Sequence, residues 1–392
     1  MTVGRLGLMI AALALGLGCS ACNTATPTHD ANRRDGAPLY RFQLQSPVYT
    51  IDKLYSSMQG PSTVEALRLG GESEIEELVW LTGYRAEVTD ATGNEPLSAE
   101  FMCHSAMDTR DDRYRETFPT AMSLRGNRVF SVDQGTLENT LPEGFGIPML
   151  SSHDMLVATQ VLNHNVVADP FEVRQRVTVE FVRDVDLQQP LKPLIQHGIY
   201  GLTLVEGPDG YLGVTPGSAV EDRHGPGCSL AEDVGHPGGL VLDRHGRRFS
   251  SFWVVPPGRH SYHTRVTDAL ALPYDTDIHY AAAHLHPFAT SLELFDLTAK
   301  QSVIKLKATA SDEGLGLADV ESYTSVNGRT LYADHEYDLI AEYDNTSGTD
   351  QDAMATMLLY VLVRDLEFRK PDGDPTKQST WARITTSALL PR

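Results

Sequence analysis

Val173-Arg174-Gln175-Arg176-Val177-Thr178-Val179-Glu180-Phe181-Val182-Arg183 places apolar side chains at 173, 177, 179 and 181 with polar residues between them. Only the two-residue period of a β-strand collects those positions on one side, so the stretch predicts a half-buried strand. Glu77 to Val88 is a second β-rich run, closed by the turn chemistry of Thr92-Gly93-Asn94-Glu95-Pro96. Short runs of the same kind recur at Met155–Val161, Gly201–Val205, Phe252–Val255, Ile278–His286, Ser291–Phe295, Ser302–Lys307, Tyr337–Tyr343 and Met357–Val363. Gly and Pro punctuate most of the gaps, and no long amphipathic helix is visible. Val64–Leu69 and Glu74–Leu81 are read as short helical turns. Many short strands at this spacing predict an all-β chain of antiparallel β-sandwiches, jelly-roll-like in type.

The chain has 392 residues, too many for one ordinary core, and 41% of them are hydrophobic. Gln188-Gln189-Pro190-Leu191-Lys192-Pro193 has linker chemistry between strand-like segments. Two tandem domains are therefore expected, 39–186 and 193–392. The net charge of −20, from 52 acidic against 32 basic residues, repels phosphate backbones and excludes nucleic acid as a partner.

Arg5 is the only early charge, and Leu6 to Leu17 is an apolar run too short to span a bilayer. Gly18-Cys19-Ser20-Ala21-Cys22 follows it, resembling a bacterial lipobox with either Cys22 or Cys19 as the lipidated residue. Residues 1–22 then read as a lipoprotein-type signal peptide and 23–38 as a flexible polar tether. The expected location is the cell envelope after export, with the membrane touched only through the lipid; plain secretion and an uncleaved anchor are the other readings. Of the four cysteines, Cys103 and Cys228 remain for the body. An exported protein permits a disulfide between them, and two buried, unlinked thiols are the other reading.

Ile278-His279-Tyr280-Ala281-Ala282-Ala283-His284-Leu285-His286 holds the best chemical candidate. In a strand His284 and His286 present two imidazoles to one face, a natural start for copper or zinc. Asp350-Gln351-Asp352-Ala353-Met354 adds a thioether at the mouth of an apolar strand, a soft donor that selects Cu(I). The bland readings are a hydrogen-bonded histidine pair and a core methionine. His104, His153 and His164 are scattered candidates for a second site, and each alone is more often a surface or capped histidine. The body contains no Gly-x-Ser-x-Gly, His-Glu-x-x-His or Cys-x-x-Cys, which removes the hydrolase, zinc-protease and zinc-ribbon readings.

At these residues the chain resembles the type II copper, ascorbate-dependent monooxygenases, the group containing the peptidylglycine hydroxylating enzymes. The resemblance runs in order from Trp80 to Tyr360. It is carried by Leu141-Pro142-Glu143-Gly144-Phe145-Gly146, Gln160-Val161, Val173–Arg183, Pro193-Leu194-Ile195 with Gly198-Ile199-Tyr200, Val255-Pro256-Pro257-Gly258, His284-Leu285-His286 and Asp352-Ala353-Met354. It implies two β-sandwiches with a copper in each. His284, His286 and Met354 match the oxygen-activating copper, and ascorbate or a similar reductant would reload it. For the electron-transfer copper, His104 matches one ligand while Cys103 stands in place of its neighbour. Leu162 stands in place of a third, with His164 two residues on and His153 a further candidate. Ala282, Thr356 and Leu358 replace the Arg, Asn and Tyr that hold a peptide carboxylate, so a C-terminal peptide is not the expected substrate. Three functions follow: a copper monooxygenase acting on an unidentified small molecule or peptide, a copper-binding envelope protein without turnover, and a β-sandwich binding or adhesion module.

Overall fold

A computed structural model describes residues 28–55, 59–70, 76–109, 111–120, 127–204, 240–242, 248–312, 314–369 and 381–385. The signal segment, Cys19, Cys22 and Cys228 lie outside the described residues, and with them the lipidation and disulfide expectations. The chain is all-β, in two antiparallel sandwiches.

The first half comprises β1 (Thr28–Arg34), β2 (Ala37–Gln45), β3 (Tyr49–Ile51), β4 (Ser62–Leu67), β5 (Leu78–Asp90), β6 (Met102–Thr109), β7 (Arg128–Asp133), β8 (Glu138–Thr140), β9 (Phe145–Leu150), β10 (Met155–Val161) and β11 (Phe171–Arg183). One sheet runs β1-β2-β11-β5-β9 and the other β4-β10-β6-β7. Tyr84 on β5 closes the space between them. Its hydroxyl meets Ser105 Oγ at 2.7 Å and its ring stacks on Phe130 at 5.8 Å.

The second half comprises β12 (Lys192–Tyr200), β13 (Thr203–Leu204), β14 (Leu240–Leu242), β15 (Arg248–Ser250), β16 (Trp253–Val255), β17 (Gly258–Arg265), β18 (Thr276–Leu285), β19 (Ala289–Asp296), β20 (Gln301–Ala310), β21 (Leu317–Val320), β22 (Tyr323–Leu331), β23 (Tyr337–Asn345), β24 (Gln351–Ala353), β25 (Ala355–Leu362), β26 (Asp365–Arg369) and β27 (Trp381–Thr385). Its main sheets are β12-β25-β18-β22 and β17-β23-β19-β20-β21. A short parallel pairing of β12 with β9, Lys192 opposite Phe145, joins the large sheets of both halves into one.

Burial follows layer position. β23 alternates buried and half-buried residues, as a strand with one wet face must. β18 and β25 are buried on both faces almost throughout, which is why Ala281-Ala282-Ala283 and Met357-Leu358-Leu359 read as continuous apolar runs. Tyr280 and Tyr360 from these strands reach the first half. Asn139 Nδ2 donates to the Tyr280 hydroxyl at 3.3 Å, and Phe130 packs on Tyr360 with ring centroids 5.8 Å apart.

Two expectations are corrected. Residues 28–34 are a strand, not part of a flexible tether: β1 pairs with β2 through Asp35-Gly36, both at positive φ (51° and 77°). Asp-Gly is the dipeptide that a two-residue hairpin turn of this hand requires. Val64–Leu67 and Leu78–Leu81 are strand rather than helical turns, because pairing with β10 and β11 outweighs their local propensity. A helix forms instead at Asp111–Thr117. Among the described residues no helix is long and apolar enough to cross a membrane.

The turn after β7 docks on β21 of the second half. Val320 N donates to Gly135 O at 2.9 Å, and Leu317 N donates to Gln134 Oε1 at 3.0 Å. Gly135 sits at φ 91°, and a Cβ there would lie 2.9 Å from Val320 Cγ2. Both the left-handed backbone and the close approach demand glycine. Gly135→Ala is expected to destabilise the fold by about 2–4 kcal/mol, read as a lowered urea midpoint. An unchanged midpoint would mean that this turn does not dock the two halves.

Candidate metal centre

The site is built on the β18–β25 ladder. His284 lies opposite Thr356 and Leu285 opposite Ala355, and His286 N donates to Met354 O at 3.3 Å beyond the strand end. Directly opposed residues of an antiparallel pair project to the same side. His284 and Thr356 therefore share one face, together with Ala282 and Leu358, while His286 and Met354 follow directly beyond the strand ends, joined through their backbones. The shared face is the one carrying Tyr280 and Tyr360, turned toward the first sandwich. All four polar or soft residues are buried, His284 at 8% exposure and the other three at 4%. The two imidazole rings stand 5.5 Å apart at 82° to each other.

Asp133, at the end of β7, reaches across the seam. Its Oδ2 accepts a hydrogen bond from His284 Nδ1 at 2.9 Å. A carboxylate only accepts, so Nδ1 carries a proton, and in the neutral ring Nε2 then keeps its lone pair. That Nε2 is buried with no hydrogen-bond partner, and so are Asp133 Oδ1 and Thr356 Oγ1. Buried polar atoms are nearly always paired, so several orphans around one point are a signature of a bound ion or water. Burial raises the Asp133 carboxyl above its usual range, and His284 beside it pulls the other way.

The residues of the expected second site divide. His104 lies on β6 opposite Asp133, within the strand rather than at its end, and is 2% exposed. Burial pushes it down to about 3, helped by the nearby His284 and Arg128. A bulge between Gln160 and Val161 leaves Cys103 as the extra residue beside His104, and its Sγ points to Gln160 Oε1 at 3.9 Å. A cavity of about 20 Å³ is bounded by Cys103, Asp133, His164, His284 and His286. That is room for one small occupant. His164 follows the end of β10 rather than continuing it, and its Nδ1 is buried without a partner. His164 and Pro287 also border an outer cleft of about 250 Å³, with Tyr55, Gln351 and Asp352. His104 and His164 thus crowd the His284 centre instead of forming a distant one.

His153 joins none of them. It precedes β10 at the end where Met155 faces Thr109, the opposite end from Gln160 and His104. Leu150 N donates to its Nδ1 at 3.4 Å, its Nε2 meets Thr117 Oγ1 at 3.1 Å, and the Tyr114 and Phe118 rings pack on it. It is a satisfied core histidine. Among the described residues no three His, Cys, Asp or Glu side chains are grouped to hold a metal. Met354, the soft donor expected from the sequence, is buried and is joined to His286 through the backbone. The sequence reading missed Asp133. Val129-Phe130-Ser131-Val132-Asp133 reads as an ordinary strand end, and nothing local separates this carboxylate from the many others.

The class these features define is an all-β, two-sandwich protein with a buried histidine pair and a carboxylate at the seam between sandwiches. No family model matches the chain, and no curated protein matches it. Solved structures similar to it include the STIV MCP, at 9% identity and TM-score 0.27, covering 81% of this chain and 97% of that one. The major capsid protein P2 from bacteriophage PM2 matches at 9% identity and TM-score 0.29, over 82% and 98%. The mavirus major capsid protein matches at 8% identity and TM-score 0.21, over 100% and 99%. Likeness at these scores carries no argument about this chain.

Burial pushes His153 down to about 4, with Arg113 adding to it and Asp154 opposing. The folded state therefore disfavours protonation, while the unfolded chain takes a proton near pH 6.5. Stability is full above that value, falls as pH drops toward about 4, and levels off below. His153→Gln should remove about 3 kcal/mol of that acid loss, measured as the difference between wild-type and variant urea midpoints from pH 7 to 4. Parallel profiles would contradict a buried neutral imidazole.

Proposed function

We propose that this chain is a copper-binding β-sandwich protein whose centre takes its donors from His284, His286 and Met354. The observation that carries the reading is the buried, unpartnered Nε2 of His284, whose Nδ1 is held by Asp133. Metal-bound histidines generally donate their other nitrogen to a carboxylate or carbonyl in this way. The donor set fits the metal: two neutral imidazoles and a thioether are soft enough to favour Cu(I) over hard cations. When bound, copper would supply redox chemistry. The chain's own residues hold the donors apart from water, fix one imidazole's tautomer and close the site with the Asp133 turn.

A non-catalytic role is the better supported use. His104 and His164 lie around the same centre, which leaves no separate ligand group among the described residues to store a second electron. The outer cleft beside Pro287 favours a second reading, a monooxygenase acting on a small C–H substrate with ascorbate or a similar reductant. The replaced clamp residues Ala282, Thr356 and Leu358 argue against a peptide C-terminus there. The leader and its cysteines support an exported, lipid-anchored location, where copper is met outside the cytoplasm.

Purified protein titrated with Cu(I) against a competing chelator should take one copper per chain. His284→Ala and the volume-conserving Met354→Leu should each weaken binding on the order of 100-fold or more, beyond the loss typical of an outer partner. His153→Gln should bind as wild type. Wild-type protein that retains no copper after reconstitution would end this reading. Oxygen consumption with ascorbate separates the two uses: its absence supports binding alone.

A further inference from the structure

We infer that Asp133 is a positioning residue for His284, and that it makes the centre a joint property of the two sandwiches. The inference deepens the copper reading and rests on it. Asp133 belongs to the first half and His284 to the second, 151 positions apart in the chain. The imidazole hangs on a side chain that can present either nitrogen to the cavity. A fixed acceptor at Nδ1 removes that freedom and leaves Nε2 to face the donors around it.

The acceptor is itself fixed, and not by local strand structure alone. Asp133 N donates to Thr136 O and Thr136 N to Asp133 O, both at 2.9 Å, closing the turn on itself. Gln134 is tied in two directions: its Nε2 donates to Glu100 O at 3.2 Å in the first half, and its Oε1 accepts from Leu317 N at 3.0 Å in the second. Gly135 O accepts from Val320 N at 2.9 Å. The turn is thus pinned to β21 on one side while Asp133 reaches β18. At 3% exposure the carboxylate has no water to fall back on, and His284 Nδ1 is the partner that offsets its burial. A buried pair of this kind contributes little net stability. Its consequence is positional. Undocking the turn would free the imidazole and dissolve the centre. By linkage, copper at the centre strengthens the docking of the halves by the same factor.

The test begins without metal. In protein labelled with ¹⁵N-histidine, long-range proton–nitrogen correlation reads each tautomer, and His284 should carry its proton on Nδ1. Asp133→Leu, which removes the acceptor, should shift His284 toward the Nε2–H form and lower Cu(I) affinity 10- to 100-fold at unchanged stoichiometry. Asp133→Asn keeps an acceptor oxygen and should retain the tautomer with a smaller loss of affinity, and it carries the test if the leucine variant does not fold. Copper should raise the urea midpoint of wild type more than that of either variant. An Nε2–H tautomer at His284 in metal-free wild type, or an Asp133 variant binding copper as tightly as wild type, would overturn the inference. Wild type that binds no copper defeats the copper reading instead, and the metal-free tautomer still decides the role of Asp133.

Discussion

The antiparallel pairing of β18 with β25 is the constraint from which the rest of the centre follows. Setting Ala283 against Met357 and His284 against Thr356 brings Met354 beside His286 across 67 intervening positions of chain. Because the side-chain period of a strand is two, a slip of one residue would send both imidazoles to the opposite face. The ladder resists such a slip because both of its faces are packed. Beyond the bulge at His279, the even-numbered face of β18 meets the first sandwich through Tyr280.

Polar groups on a doubly buried strand are costly, and their placement is therefore informative. His284, Asp133 and Thr356 place several polar atoms where no water reaches them. A structural role for His284 would be met by any apolar residue of similar volume, with less desolvation to offset. His153 shows the contrast. It is equally buried, yet its two nitrogens meet Leu150 N and Thr117 Oγ1, and aromatic rings enclose it. Two histidines of one chain thus separate into one with both ring nitrogens satisfied and one with a ring nitrogen left open, which burial alone does not distinguish.

Most strands were legible because each is a local pattern. Val173–Arg183, Met155–Val161 and Tyr337–Tyr343 fall within β11, β10 and β23 almost to the residue. The N-terminal segment was misread because its polar composition resembles a tether, while Asp35-Gly36 was the overlooked hairpin signal. His-x-His was visible as two imidazoles on one face. The fate of His104, His153 and His164 was not, since their spacing along the chain carries no information about which sheet end each occupies. The bulge that turns Cys103 toward the cavity was equally hidden.

What the amino-acid order determined alone is what depends on neighbours in the chain: the two-residue alternation, the turn chemistry, the charge, and the pairing of His284 with His286 on one side. What tertiary structure decided is which distant residues meet that side. The Met354 backbone arrives beside His286 through strand register, and the Asp133 carboxylate beside His284 through the docking of one sandwich on the other. Both depend on non-local hydrogen-bond ladders and on the closure of a seam, whose energies are shared over many residues and leave no mark at any single position of the sequence.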